Sequence, residues 1–187
     1  MRIIAGKHKN RVIPTLRKSD YRPSTAKFRE ALFSILSSGE FADTKPVIDA
    51  RVLDLFAGTG GLSFEALSRG ADSVLLIDHK EEYLKTAKDF AKTLGEEDKV
   101  ITLLMDATNL PRPANKYDLV FMDPPYYNGY VTKALNGLIK HEWLVDGAII
   151  AIEMEVRQKL DLSDDLQLVK EKLYGNNKLL ILKYGQN

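Results

Sequence analysis

The chain has 187 residues, 44% hydrophobic and 28% charged, with a formal net charge of +1 and no cysteine. Those numbers describe one ordinary globular domain with a full-sized core, and they exclude disulfide staples and thiolate metal sites. No apolar run approaches the roughly 20 residues of a membrane span, and the opening segment lacks the core of a signal peptide, so no membrane association and a reducing cytoplasm are expected.

Charge is unevenly spread. Residues 1–30 carry nine Lys or Arg against two acids, a surplus of seven, so the rest of the chain is net −6. A basic N-terminal extension of this kind suits a polyanion, with Arg2, Lys7, Lys9, Arg11 and Arg22 as nucleic-acid contacts. Residues 1–22 alternate short apolar pairs with glycine and basic residues, which predicts a small hairpin or an ordered arm. Residues 23–50 read as a leading helix and a connection. Ser24 is the expected N-cap, and Phe28, Ala31, Leu32, Ile35 and Leu36 supply helical spacing.

From Arg51 to the end, short apolar runs alternate with amphipathic stretches. The runs are Val52–Phe56, Val74–Ile77, Val100–Met105, Leu119–Met122 and Ala148–Ile152, which suit strands buried on both faces of a parallel sheet. Helices are predicted over 62–69, 80–94 and 129–140, the second with Tyr83, Leu84, Ala87, Ala91 and Leu94 on one face. This βαβα alternation predicts a doubly wound α/β fold. Leu166–Tyr174 and Lys178–Tyr184 lie too close together for a crossover helix and predict an antiparallel C-terminal hairpin. Trp143 reads as core.

Three features carry chemistry. The first is Asp54-Leu55-Phe56-Ala57-Gly58-Thr59-Gly60, a strand running into a glycine turn at the sheet edge where open α/β folds bind ligands. Ser63 stands where a dinucleotide fingerprint has its third glycine, and Asp54 would repel a pyrophosphate. A carboxylate there suits an amino group instead, such as that of S-adenosylmethionine. The second is a set of acids at strand ends, Asp54, Asp78, Asp106 and Asp123. Asp78 falls near the spacing of a ribose-binding acid, and Asp106 suits an adenine amino group. The third is Asp123-Pro124-Pro125-Tyr126. Two prolines remove two backbone donors, leaving a carboxylate, carbonyls and an aromatic ring. That set accepts hydrogen bonds from an –NH2 group and stacks on a flat base. His8, His79 and His141 share no ligand spacing, so no metal is assigned.

On these motifs the chain resembles class I amino methyltransferases that act on nucleic acids. More narrowly, it resembles the RsmD-type 16S ribosomal RNA guanine-N2 methyltransferases. Arg2-Ile3-Ile4-Ala5-Gly6-Lys7, Arg22-Pro23-Ser24-Thr25, Arg29-Glu30-Ala31-Leu32-Phe33, Glu65-Ala66-Leu67-Ser68-Arg69-Gly70-Ala71 and Tyr174-Gly175 support the likeness. The resemblance implies a Rossmann-like, seven-stranded, mostly parallel sheet with its last strand antiparallel, and S-adenosylmethionine as methyl donor. It implies that Asp54, Phe56, Ala57, Gly58, Thr59 and Gly60 frame the cofactor, that Asp78 with His79 beside it takes the ribose, and that Asp106 with Ala107 meets the adenine. It implies that Asp123, Pro124, Pro125 and Tyr126 present the target guanine, with Tyr127 a second candidate ring. Arg22 or Arg29 pairs with the cofactor carboxylate or with an RNA phosphate. The implied partner is 16S ribosomal RNA in the small subunit or an assembly intermediate, acted on by a monomer. DNA adenine-N6 or cytosine-N4 methylation is the nearest alternative activity, and a non-catalytic ribosome assembly factor is the alternative of another class.

Overall fold

The computed structural model describes residues 1–16, 26–41, 44–125 and 129–185. The elements follow in chain order as α1 (Ala26–Leu36), β1 (Arg51–Leu55), α2 (Gly61–Ser68), β2 (Ser73–Asp78), α3 (Glu81–Leu94), β3 (Val100–Leu104), β4 (Tyr117–Met122), α4 (Tyr130–Lys140), β5 (Leu144–Glu155), β6 (Leu166–Tyr174) and β7 (Asn177–Tyr184). The strands form one seven-stranded sheet in the order β3-β2-β1-β4-β5-β7-β6. β1 to β5 pair in parallel, while β7 enters antiparallel between β5 and β6. The predicted strands and the C-terminal hairpin are therefore all present. The expected N-cap, Ser24, lies outside the described residues.

Strand side chains alternate between two cores, as the period of two requires. Val52, Leu76, Phe121, Ala151 and Ile181 meet α1, α2 and α3 on one face. Leu53, Ile77, Val120, Ile152 and Leu182 meet α4 on the other, with Trp143 buried among them. The Trp143 indole N–H donates to the Pro111 carbonyl at 2.7 Å, which satisfies its one polar atom. α2 is buried along its whole length because the sheet covers one side and the N-terminal segment the other. In α3, Phe90 joins the predicted apolar face.

β3 departs from the expectation of burial on both faces. It is one of the sheet's two edge strands, and Ile101, Leu103 and Leu104 are exposed. Apolar composition alone does not distinguish an edge strand from a central one.

Residues 1–13 form a small hairpin, while residues 17–22 of the predicted arm lie outside the described residues. Arg2 bridges Val12 in antiparallel fashion, and Ile3 and Ile13 are buried in the α1–α3 core. Glu65 of α2, itself fully buried, accepts the Ile4 and Ala5 amides and the Arg69 Nε–H. Lys7 N donates to the Ser68 carbonyl and His8 N to the Ser68 hydroxyl, which in turn donates to the Ala5 carbonyl. Gly6 makes this docking possible: its φ is +83°, and a Cβ there would lie 1.8 Å from the Ser68 carbonyl oxygen.

Candidate active site

β1 leads out to β2 and β3 on one side, while β4 and β5 lie on the other, so the strand order reverses between β1 and β4. Open α/β sheets bind ligands in the crevice at such a switch point, beyond the carboxyl ends of the strands. The registers Leu55↔Ile77 and Leu55↔Met122 place Phe56, Asp78 and Asp123 side by side at that edge, one residue beyond their last pairs.

The glycine turn is held from both sides. Gly58 and Gly60 have φ of +55° and +82°. A Cβ on Gly60 would come within 2.8 Å of Leu76 Cδ2 and of Phe64 Cε2, both buried, so no side chain fits there. Ala57 N donates to the Ile77 carbonyl at 3.1 Å, and Gly58 N donates to Asp78 Oδ2 at 2.8 Å. The other Asp78 oxygen accepts the Lys80 amide at 2.9 Å, with His79 Nδ1 at 3.4 Å. The acid expected to meet ribose thus also braces the turn. Phe56 adopts φ +61°, a left-handed conformation rarely occupied by bulky residues, where the chain leaves β1.

Asp54 is buried behind the turn, and the Ser63 hydroxyl donates to it at 2.6 Å. Burial pushes its carboxyl up to about 7 from an ordinary 3.8. Repulsion from Asp123 and Asp78 adds to the rise, and the Ser63 bond opposes it. An ammonium group beside Asp54 would favour the charged form again. Asp106 lies two residues beyond β3. Its Oδ1 accepts both the amide and the hydroxyl of Thr108 at 2.8 Å, and these bonds hold its carboxyl below the usual range. Ala107 beside it is buried.

Asp123 is half-buried where the chain leaves β4, with Pro124 buried and Pro125 exposed. Tyr126 and Tyr127 lie outside the described residues. The chain returns at Gly129, φ +90°, which caps α4. Tyr130 then stacks on Phe56 with ring centroids 5.9 Å apart and planes 4° from parallel. This ring pair joins the turn after β1 to the helix that follows the Asp-Pro-Pro segment.

The basic candidates are placed on the docked hairpin. Lys7 and His8 meet Glu96 at 2.5 and 2.6 Å. Arg11 donates to the Thr93 carbonyl at the end of α3, and Arg2 to the Asn10 carbonyl. Lys9 is exposed. Arg29 is buried and donates to the Arg2 carbonyl at 2.9 Å, tying α1 to the hairpin. Arg22 lies outside the described residues. Sequence reasoning missed Ser63 as the partner of Asp54, Glu65 as the anchor of the hairpin, and Tyr130 as the partner of Phe56. Ser63 lies nine residues from Asp54, and only a tight strand-turn-helix brings them together.

Thr59 Oγ1 is buried with no hydrogen-bond partner among the described residues. A buried hydroxyl left so in a glycine turn, at the crevice and beside acids that accept hydrogen bonds, fits a polar ligand carrying N–H or O–H groups.

A family model described as conserved hypothetical protein 95 matches residues 1–183. An uncharacterized methylase of Rickettsia prowazekii (strain Madrid E) is 39% identical, covering 100% of this chain and 99% of that protein. Ribosomal RNA small subunit methyltransferase D of Escherichia coli (strain K12) is 31% identical over 94% of this chain and 85% of that one. Among solved structures, a putative methyltransferase from Escherichia coli superposes with a TM-score of 0.84 at 29% identity, covering 100% of this chain and 99% of that chain.

Proposed function

We propose, from the premise that this chain belongs to the conserved hypothetical protein 95 family, to which ribosomal RNA small subunit methyltransferase D is related at this level, that it methylates N2 of a guanine in 16S ribosomal RNA. The chain is a methyltransferase with the Rossmann-like fold of its relatives, and S-adenosylmethionine is its methyl donor. That donor supplies an electrophilic methyl group, so the protein's task is to present a nitrogen to it. The residues at the crevice fit such a ligand. Asp54 takes the amino group, the glycine turn with Thr59 lies along the amino acid end, Asp78 takes the ribose hydroxyls, and Asp106 with Ala107 meets the adenine edge.

The observation that carries the target assignment is the placement of Asp123-Pro124-Pro125 at the switch point, next to Phe56 and across β1 from Asp78. Both prolines lack an N–H, so beyond the Asp123 amide the segment offers acceptors only. An exocyclic amine on a base has its lone pair spread into the ring. Acceptors at the Asp123 carboxylate and the Pro124 carbonyl hold its two N–H bonds, favour localisation of the lone pair and stabilise the positive charge that develops on nitrogen. Tyr126 or Tyr127 stacks on the base. Bringing the base to the crevice means taking it out of its stack, at a cost of about a few kcal/mol, smallest in a single-stranded loop.

The test is transfer of labelled methyl from S-adenosylmethionine to small-subunit particles from a strain lacking this protein, followed by nucleoside analysis. Labelled N2-methylguanosine in 16S ribosomal RNA is the expected product. Label in N6-methyladenine or N4-methylcytosine of DNA, with none in RNA, would overturn the substrate while keeping the activity.

A further inference from the structure

β5 is the longest strand and overshoots its neighbour. Its pairing with β4 ends at Met122↔Ile152, where the chain leaves for Asp123-Pro124-Pro125. Glu153, Met154 and Glu155 continue upward, paired only with Leu179, Lys178 and Asn177 of β7. The β6–β7 turn braces the overhang: Asn177 Nδ2 donates to Glu153 at 2.8 Å, and Val156 N donates to the Asn176 carbonyl at 2.9 Å. Gln158 N then closes a turn onto the Glu155 carbonyl at 3.1 Å. A wall therefore stands beside the Asp-Pro-Pro segment, on the side away from the glycine turn.

Between this wall and the start of α4 lies a recess of about 390 Å³. Its rim includes Gly129, the residue at which the chain re-enters α4 after the candidate catalytic segment. Val131, Met154 and Leu160 supply apolar surface, and Arg157 and Lys159 supply two exposed cations. Glu155 also lines the recess, so its two cations outnumber one carboxylate; apolar surface beside a net positive rim matches one nucleotide, with a base to cover and phosphates to neutralise. Neither Asp123 nor any residue of the glycine turn lines this recess, which is built from the start of α4 and the end of β5.

We infer that this recess is a subsite for the nucleotide adjoining the target. Its base lies over Val131, Met154 and Leu160, and its flanking phosphates lie against Arg157 and Lys159. The inference rests on the RNA reading above and adds a position to it. Holding the neighbouring nucleotide keeps the strand splayed while the target amine sits at the crevice. The pair therefore acts on RNA capture and not on the methyl donor.

The experiment compares the full chain with an Arg157→Ala/Lys159→Ala double variant. Binding of a labelled single-stranded RNA oligonucleotide is measured over a salt series, alongside S-adenosylmethionine binding and methyl transfer to undermethylated small-subunit particles. The slope of log affinity against log salt should fall by about 1.4, at about 0.7 per phosphate contact on single strands. KM for the particles should rise by about tenfold, with kcat within twofold and cofactor affinity unchanged. An unchanged slope and KM would refute the subsite while leaving the RNA reading intact, and so would a loss confined to kcat. A loss seen with particles but not with protein-free RNA would assign the recess to a ribosomal protein and refute it too. An unaltered chain that binds S-adenosylmethionine but neither RNA nor particles would refute the RNA reading itself.

Discussion

Replacing Asp54 by Asn should stabilise the cofactor-free protein in a way that depends on pH. The carboxyl is pushed from 3.8 to about 7, chiefly by burial. At about 1.36 kcal/mol per unit, ionised Asp54 costs the fold about 4 kcal/mol above pH 7. The folded chain holds the proton where the unfolded chain has lost it. Stability is therefore full below about pH 4, declines as pH rises, and levels off above about pH 7. Asn keeps an oxygen for the Ser63 hydroxyl, now at 2.6 Å, and carries no charge. The stability gain of Asp54→Asn should therefore be larger at pH 8 than at pH 5 by about 3 kcal/mol, read from urea unfolding at each pH. Cofactor binding should respond in the opposite sense. Affinity of the unaltered protein should fall about tenfold per unit as pH drops from 7 to 5, and the Asn variant should bind weakly with no such slope over that range. A gain equal at both pH values would refute the claim that Asp54 is driven toward neutrality by its surroundings.

On the proposed mechanism, in which its carboxylate acts on the target amine, Asp123→Ala should lower kcat by about 10²-fold or more with cofactor affinity little changed; transfer assays beside calorimetric binding separate the two. Gly6→Ala should destabilise the chain by at least about 2 kcal/mol, since φ +83° and the Ser68 carbonyl both reject a Cβ. Hydrogen exchange at Ile4 and Ala5 should rise with it. Glu65→Ala removes the acceptor for two amides and the Arg69 guanidinium, leaving them unsatisfied at part-buried positions. Denaturant unfolding should show a loss of about 2–4 kcal/mol.

Much of the fold is legible in the residue pattern because strand burial and helix amphipathy repeat with fixed periods. Val52–Phe56 and Leu119–Met122 read as strands from their apolar runs, and the Gly175-Asn176 turn announces a hairpin because no helix fits in the gap. Asp54, the glycine turn, Asp78 and Asp123-Pro124-Pro125 could be named as candidate site residues because each closes a local pattern. Their chemistry depends on residue type and on position at a strand end, and both are written along the chain.

Tertiary structure decided what depends on neighbours distant in sequence. The apolar run at Val100–Met105 became an exposed edge because the strand order places no further strand of the described residues beyond β3. The basic N-terminal segment became a docked hairpin because Glu65 and Ser68 supply acceptors about 60 residues away, and its Lys7 faces Glu96. The Asp54 carboxyl rose to about 7 only because helix and sheet close over it and bring Asp78 and Asp123 near. Composition and spacing determine which residues can pair with water-excluding or polar partners along one element. Burial, repulsion and hydrogen bonding between elements arise only once the sheet order sets which strand ends lie side by side.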